Sequence, residues 1–169
     1  MTQRDLDYII WQNRALRFYL AARTLYYARL FAPAAYCAHQ ALELIMKATL
    51  HYWDRSFNPR DAGHNLRKMT RMINNKARPT PSLTIPGYFS HEQRFLTVTR
   101  YPTTGKGVLV PSSLIIDLDR LFVTLVCLVP FQFNSELARA VTGRDRPALL
   151  LLRRHNAMLR RLRRFLKPR

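Results

Sequence analysis

Residues 33–52 read PAAYCAHQALELIMKATLHY, and this run decides the fold class. Ala34, Cys37, Ala41, Leu44, Ala48 and Tyr52 recur at spacings of three and four, the period of one helix face. Small side chains on that face let a second helix approach closely. Pro33 suits the first helical turn, where its missing N–H costs nothing. Asn58, Pro59 and Gly63 end the segment.

Working outward, the flanking segments also read as helices. Asp5 to Phe31 contains no Pro and no Gly, and Ile9, Leu16, Leu20, Tyr27 and Phe31 fall in one narrow stripe at helical spacing. Tyr8, Tyr19 and Tyr26 make a second stripe, read as packing rather than base stacking. A further helix is expected through Leu66, Met69, Thr70 and Ile73. Residues 76–111 hold five prolines and three glycines and read as a long irregular loop, with a short strand near Phe95 to Thr99. Ser112 or Ser113 can cap a fourth helix running to about Val129. The expected fold class is all-α: a four-helix bundle over residues 1–133, with a long loop before the fourth helix and a C-terminal amphipathic basic helix in an extension over 134–169.

Composition narrows the function classes. The chain has 169 residues, 28 of them Lys or Arg against 10 Asp or Glu, a formal charge of +18. Its apolar fraction of 48% is enough for a real core and excludes wholesale disorder. Cys37 and Cys127 offer neither a disulfide framework nor a zinc spacing, so the expectation is a cytoplasmic protein with no metal and no cofactor. The first 30 residues carry several charges and no apolar h-region, against a signal peptide. Leu121 to Phe133 is apolar but too short to span a bilayer.

From Arg139 onward there are eleven basic residues and one acid, Asp145. Asp145 can cap a final helix with Pro147 in its first turn. On a helical wheel Leu151, Leu152, His155, Met158, Leu159, Leu162, Phe165 and Leu166 fill one side, while Arg153, Asn156, Arg160, Arg161, Arg163 and Arg164 fill the other. These arginines repel one another with no interspersed Glu, unlike an ordinary solvated face. They suit nucleic-acid phosphate, with an anionic membrane ranked below it. Arg100, Tyr101 and Lys106 make a second basic, aromatic-containing area in the loop. Gly105-Lys106-Gly107 lacks the pattern of a phosphate-cradling loop.

The run Ala34-Ala35-Tyr36-Cys37-Ala38-His39-Gln40-Ala41-Leu42-Glu43-Leu44, followed by Lys47-Ala48, resembles the HEPN domain family, with its small-residue run ending in Q-A-x-E-x-x-x-K-A. His64-Asn65-Leu66 is similar to the family's H-D-L, and Arg100-Tyr101-Pro102 to its R-Y-P. The resemblance covers roughly Leu6 to Pro130 and implies a dimer. Enzymes of the family cleave RNA without a metal, using an Arg followed after four to six residues by a His. In that chemistry the His exchanges protons with the 2′-hydroxyl and the leaving oxygen, and the Arg neutralises the phosphate.

No histidine here has an Arg at that upstream spacing: His64 follows Arg60 with three residues between and Arg55 with eight, and His155 follows Arg146 with eight. The reading is therefore a non-catalytic, RNA-binding accessory protein of a prokaryotic ribonucleoprotein, toxin–antitoxin or defence system. Two alternatives stand beside it. One is an endoribonuclease toxin with a site rearranged around Arg100 and His64 or His91. The other is a protein-interaction module docking through the basic helix. His64 is otherwise expected to cap or hydrogen-bond the start of the third helix, and His155 to pack on the apolar side of the last one.

Overall fold

The computed structural model describes residues 3–54, 56–90, 110–129, 136–142, 144–158 and 160. They form eight helices and, among the described residues, no strand: α1 (Gln3–Tyr27), α2 (Phe31–Trp53), α3 (Pro59–Ala62), α4 (Leu66–Ala77), α5 (Gly87–Ser90), α6 (Leu114–Val126), α7 (Glu136–Thr142) and α8 (Arg146–Arg153). The all-α expectation is borne out. The strand expected near Phe95 to Thr99 lies outside the described residues.

The α1–α2 hairpin is the main packing unit. The sequence predicts helix through Phe31, but α1 stops at Tyr27. Arg29 takes φ 62°, its N–H bonds to Tyr26 O (2.9 Å), and Leu30 N–H bonds to Leu25 O (2.9 Å). This paired closure of the last carbonyls reverses the chain without a glycine. Pro33 then sits in the first turn of α2, as its fixed φ favours. The small residues Ala34, Ala35, Ala38, Ala41 and Ala48 are buried, which allows close approach of α1.

Lys76, near the end of α4, pairs with Asp54 just past α2 (3.1 Å), while His64, just before α4, reaches Glu43 in the middle of α2. α4 therefore runs along α2 in roughly the same sense. Tyr26 Oη donates to Ser112 O (2.9 Å) at one end of α6, and Trp53 Nε1 donates to Leu128 O (2.8 Å) at the other. So α6 also follows the sense of α2. The described residues 78–90 that leave α4 are not wholly irregular. Asn74 bonds both backbone groups of Leu83 (2.8 and 2.9 Å), and the short α5 buries Phe89 and ties Tyr88 Oη to Asp117 (2.8 Å). Ser113 occupies the expected cap position of α6 without a capping side-chain bond, and the helix ends at Val126, before Val129.

One core joins these elements. Leu16 and Tyr19 of α1, Leu42 and Ile45 of α2, Met69 and Ile73 of α4, and Leu118 and Phe122 of α6 are buried together, with Tyr19 stacked on Phe122 at 4.2 Å. Ala140 of α7 and Ala148 and Leu152 of α8 belong to the same cluster, so α7 and α8 pack on α1.

Candidate nucleic-acid interface

The interface is built where α7 and α8 lie against α1. Asp145 caps α8 as expected, its carboxylate accepting from Ala148 N–H (3.1 Å), and Pro147 occupies the first turn. The expected continuous basic helix does not form: α8 ends at Arg153, and His155 turns into the left-handed region at φ 49°. The cause lies in α1. Arg23, fully buried, donates from Nε to Leu151 O (3.1 Å) and from Nη2 to Arg154 O. Carbonyls that a longer helix would use internally are taken by a guanidinium instead.

Arg23 is held in place by Asp119, whose carboxylate it grips from Nη1, and Tyr19 Oη donates to the same carboxylate (2.5 Å). Asn156 Nδ2 donates in turn to Tyr19 Oη (2.9 Å), so the residue after the turn is tied to the same network. Burial pushes the Asp119 carboxyl above the usual aspartate range, with Arg23 and Tyr19 pulling it back down. Burial and the neighbouring Asp119 hold the Tyr19 hydroxyl well above its ordinary value.

Around this buried anchor the arginines face outward. Arg153, Arg154 and Arg160 are exposed. Arg154 places its guanidinium 4.3 Å from the centre of the Tyr27 ring, a cation–π contact that orients the side chain. His155 is exposed and lies against Tyr27 (5.7 Å between rings), so it does not pack on the apolar side of a helix. Arg139, Arg144 and Arg146, which the sequence reading does not single out, are exposed and line one open cleft. Arg161, Arg163, Arg164, Arg100 and Lys106 lie outside the described residues.

A second constellation surrounds His64. Asn65, not His64, caps α4 by accepting from Lys68 N–H (2.6 Å). His64 turns instead to Glu43, with Nδ1 2.9 and 3.0 Å from the two carboxylate oxygens. Its side chain is 65% exposed, whereas that of Glu43 is 5% exposed. Lys47 Nζ meets the same carboxylate at 2.7 Å, and the buried His39 Nδ1 lies 4.0 Å away. A carboxylate on Nδ1 fixes the imidazole tautomer and leaves Nε2 for other chemistry. The sequence reading misses Glu43, although its i,i+4 relation to both His39 and Lys47 is a visible signal. Arg100 and His91, the other members of the rearranged site, lie outside the described residues. No group of three metal-ligating side chains occurs among the described residues.

The geometry defines an all-helical protein with a basic, arginine-lined flank. The HEPN domain family model matches residues 8–107 of it. The chain belongs to the HEPN domain family, which carries a nucleic-acid-related or toxin and defence association at the level of the family. Arg139 to Arg160 fall beyond the matched span. No curated protein and no solved structure gives a significant match to the chain. Among the described residues, no helix is long and apolar enough to cross a membrane.

Proposed function

We propose that this chain is an RNA-binding HEPN-domain protein of the cytoplasm, a non-catalytic accessory component of a prokaryotic ribonucleoprotein, toxin–antitoxin or defence system. In this reading it acts as a homodimer or with a protein partner. Residues 1–133 form the bundle, and 134–169 form the nucleic-acid-binding extension. One observation carries the proposal: between 139 and 160 the chain displays Arg139, Arg144, Arg146, Arg153, Arg154 and Arg160 on the surface, and the single acid there, Asp145, is occupied capping α8. Arginine forks on a fixed scaffold match phosphate oxygens in pairs.

Removing residues 145–169 would also take Leu152 out of the core and strip Arg23 of its carbonyl partners, so surface substitutions test the proposal better. The triple variant Arg153→Ala/Arg154→Ala/Arg160→Ala should weaken RNA binding. It should also flatten the dependence of log K on log salt by about 0.7 for each single-strand phosphate that is no longer neutralised. An unchanged affinity and slope would overturn it.

The Glu43–His64 pair favours a second reading, a metal-independent endoribonuclease in which His64 Nε2 exchanges the proton of the 2′-hydroxyl. It predicts cleavage of structured RNA in EDTA that His64→Ala abolishes. Intact RNA at protein concentrations that fully shift it would reject this reading and leave the first.

A further inference from the structure

We infer that the cleft between α7 and α8 is a binding site for a terminal phosphomonoester, the 5′-phosphate of an RNA strand. The inference rests on the RNA-binding reading above and adds a site and a chemical preference to it. Arg139 of α7, Arg144 of the connection and Arg146 at the start of α8 line this open cleft, together with Asp145 and Pro147. Its volume is about 570 Å³, room for a nucleotide-sized group.

Three features of the cleft point to a strand end rather than to the run of the backbone. The first is charge. Arg144 and Arg146 bring two positive charges to the cleft beside Arg139, and the carboxylate of Asp145 is directed at Ala148 N–H. A phosphomonoester carries about −1.5 to −2 at neutral pH, whereas each internal phosphodiester carries only one negative charge. The second is rigidity. Asp145 N–H bonds to Arg139 O (3.1 Å), the carboxylate cap starts α8, and Pro147 follows, so the backbone positions of the three arginines are tied to one another. Less ordering is then required when the ligand arrives. The third is shape. The exposed arginines at 153, 154 and 160 lie apart from the cleft on an outward-facing flank that can track a backbone, while Arg139, Arg144 and Arg146 gather around one open cleft that a strand end can enter.

The test compares one short single-stranded RNA carrying a 5′-phosphate with the same RNA carrying a 5′-hydroxyl, each titrated by fluorescence anisotropy against the full chain. The 5′-phosphate form is expected to bind about 10-fold tighter, the effect of one well-placed hydrogen-bonded charge. The preference should vanish in Arg144→Gln/Arg146→Gln, with the helical circular dichroism unchanged. It should also shrink below about pH 6, where the phosphate takes up its second proton. Equal binding of the two RNAs, or a preference that survives the double variant, overturns the cleft while leaving RNA binding intact. If neither RNA binds, the RNA reading falls, and calorimetry with a nucleoside 5′-monophosphate against the nucleoside then decides the cleft. Phosphate-dependent binding lost in the double variant sustains it, and its absence overturns it.

Discussion

At the scale of single residues, the chain uses arginine and histidine where helices often end in glycine. Arg29 (φ 62°), Arg78 (φ 44°) and His155 (φ 49°) each take the left-handed conformation beside a helix end. A side chain there crowds its own backbone, at a cost of about 1–2 kcal/mol relative to glycine, partly offset because glycine gains freedom in the unfolded chain. Arg29→Gly is therefore expected to stabilise the protein by about 0.5–1 kcal/mol, seen as a rise in Tm of about 2–4 °C per kcal/mol. A fall in Tm would show that the Arg29 side chain makes a compensating contact. These positions are not legible in the sequence, because nothing in an Arg-Leu or His-Asn pair announces a positive φ. The Glu43–His64 contact is similar: its partners are 21 positions apart, and only the path of the chain through α3 brings them together.

At the scale of elements, much is legible and one error is instructive. Small residues at spacings of three and four, Pro33 in a first turn, and Asp145 with Pro147 are local signals, and local signals place α2 and the start of α8 correctly. The break after Arg153 is a tertiary event. The wheel of residues 151–166 is consistent with a continuous helix, but Arg23 claims the carbonyls of Leu151 and Arg154. In the sequence, Arg23 stands seven after Leu16 and four before Tyr27, between the two stripes of the first helix, but nothing local says which carbonyls it will reach. Breaking a buried pair by removing one partner costs about 3–5 kcal/mol. Arg23→Ala should show a loss of that size in denaturant unfolding, together with faster hydrogen exchange over residues 151–156. A loss below about 1 kcal/mol, the worth of an exposed ion pair, would contradict the anchoring role.

At the scale of the whole molecule, six of the ten acids are spent on internal ties, while the arginines of α7, α8 and their connection face solvent. Glu43, Asp54, Asp117, Asp119, Glu136 and Asp145 each engage a histidine, lysine, arginine, tyrosine or helix N-terminus. The excess of 28 basic over 10 acidic residues is thus left to act outward, as a long-range attraction for polyanions that weakens with salt. The same arrangement sets an alkaline limit on stability. Burial and Asp119 raise the Tyr19 hydroxyl, and burial and Asp117 raise that of Tyr88. The stabilisation from a raised group is fully present below the unfolded value of about 10 and is lost as pH climbs toward the folded value. Stability should therefore fall above about pH 10, by up to about 1.4 kcal/mol per pH unit for the buried Tyr19 and by less for the half-buried, solvent-screened Tyr88. Tyr88→Phe should fall less steeply, measured as denaturant midpoints across that range, and equal slopes would contradict this.

The Arg23 anchor also has a consequence for the order in which the molecule assembles. Its partners lie 96, 128 and 131 positions downstream, among the longest-range contacts in the chain. Loops of that length close slowly, and their entropy must be surrendered before the contacts give anything back. While the chain is being made, α1 and α2 can pair early, yet the guanidinium in their midst has no counter-charge until α6 arrives and no full shell until α8 does. The nascent hairpin therefore keeps a wet, open seam along α1, and elements made about a hundred residues later are the ones that close it.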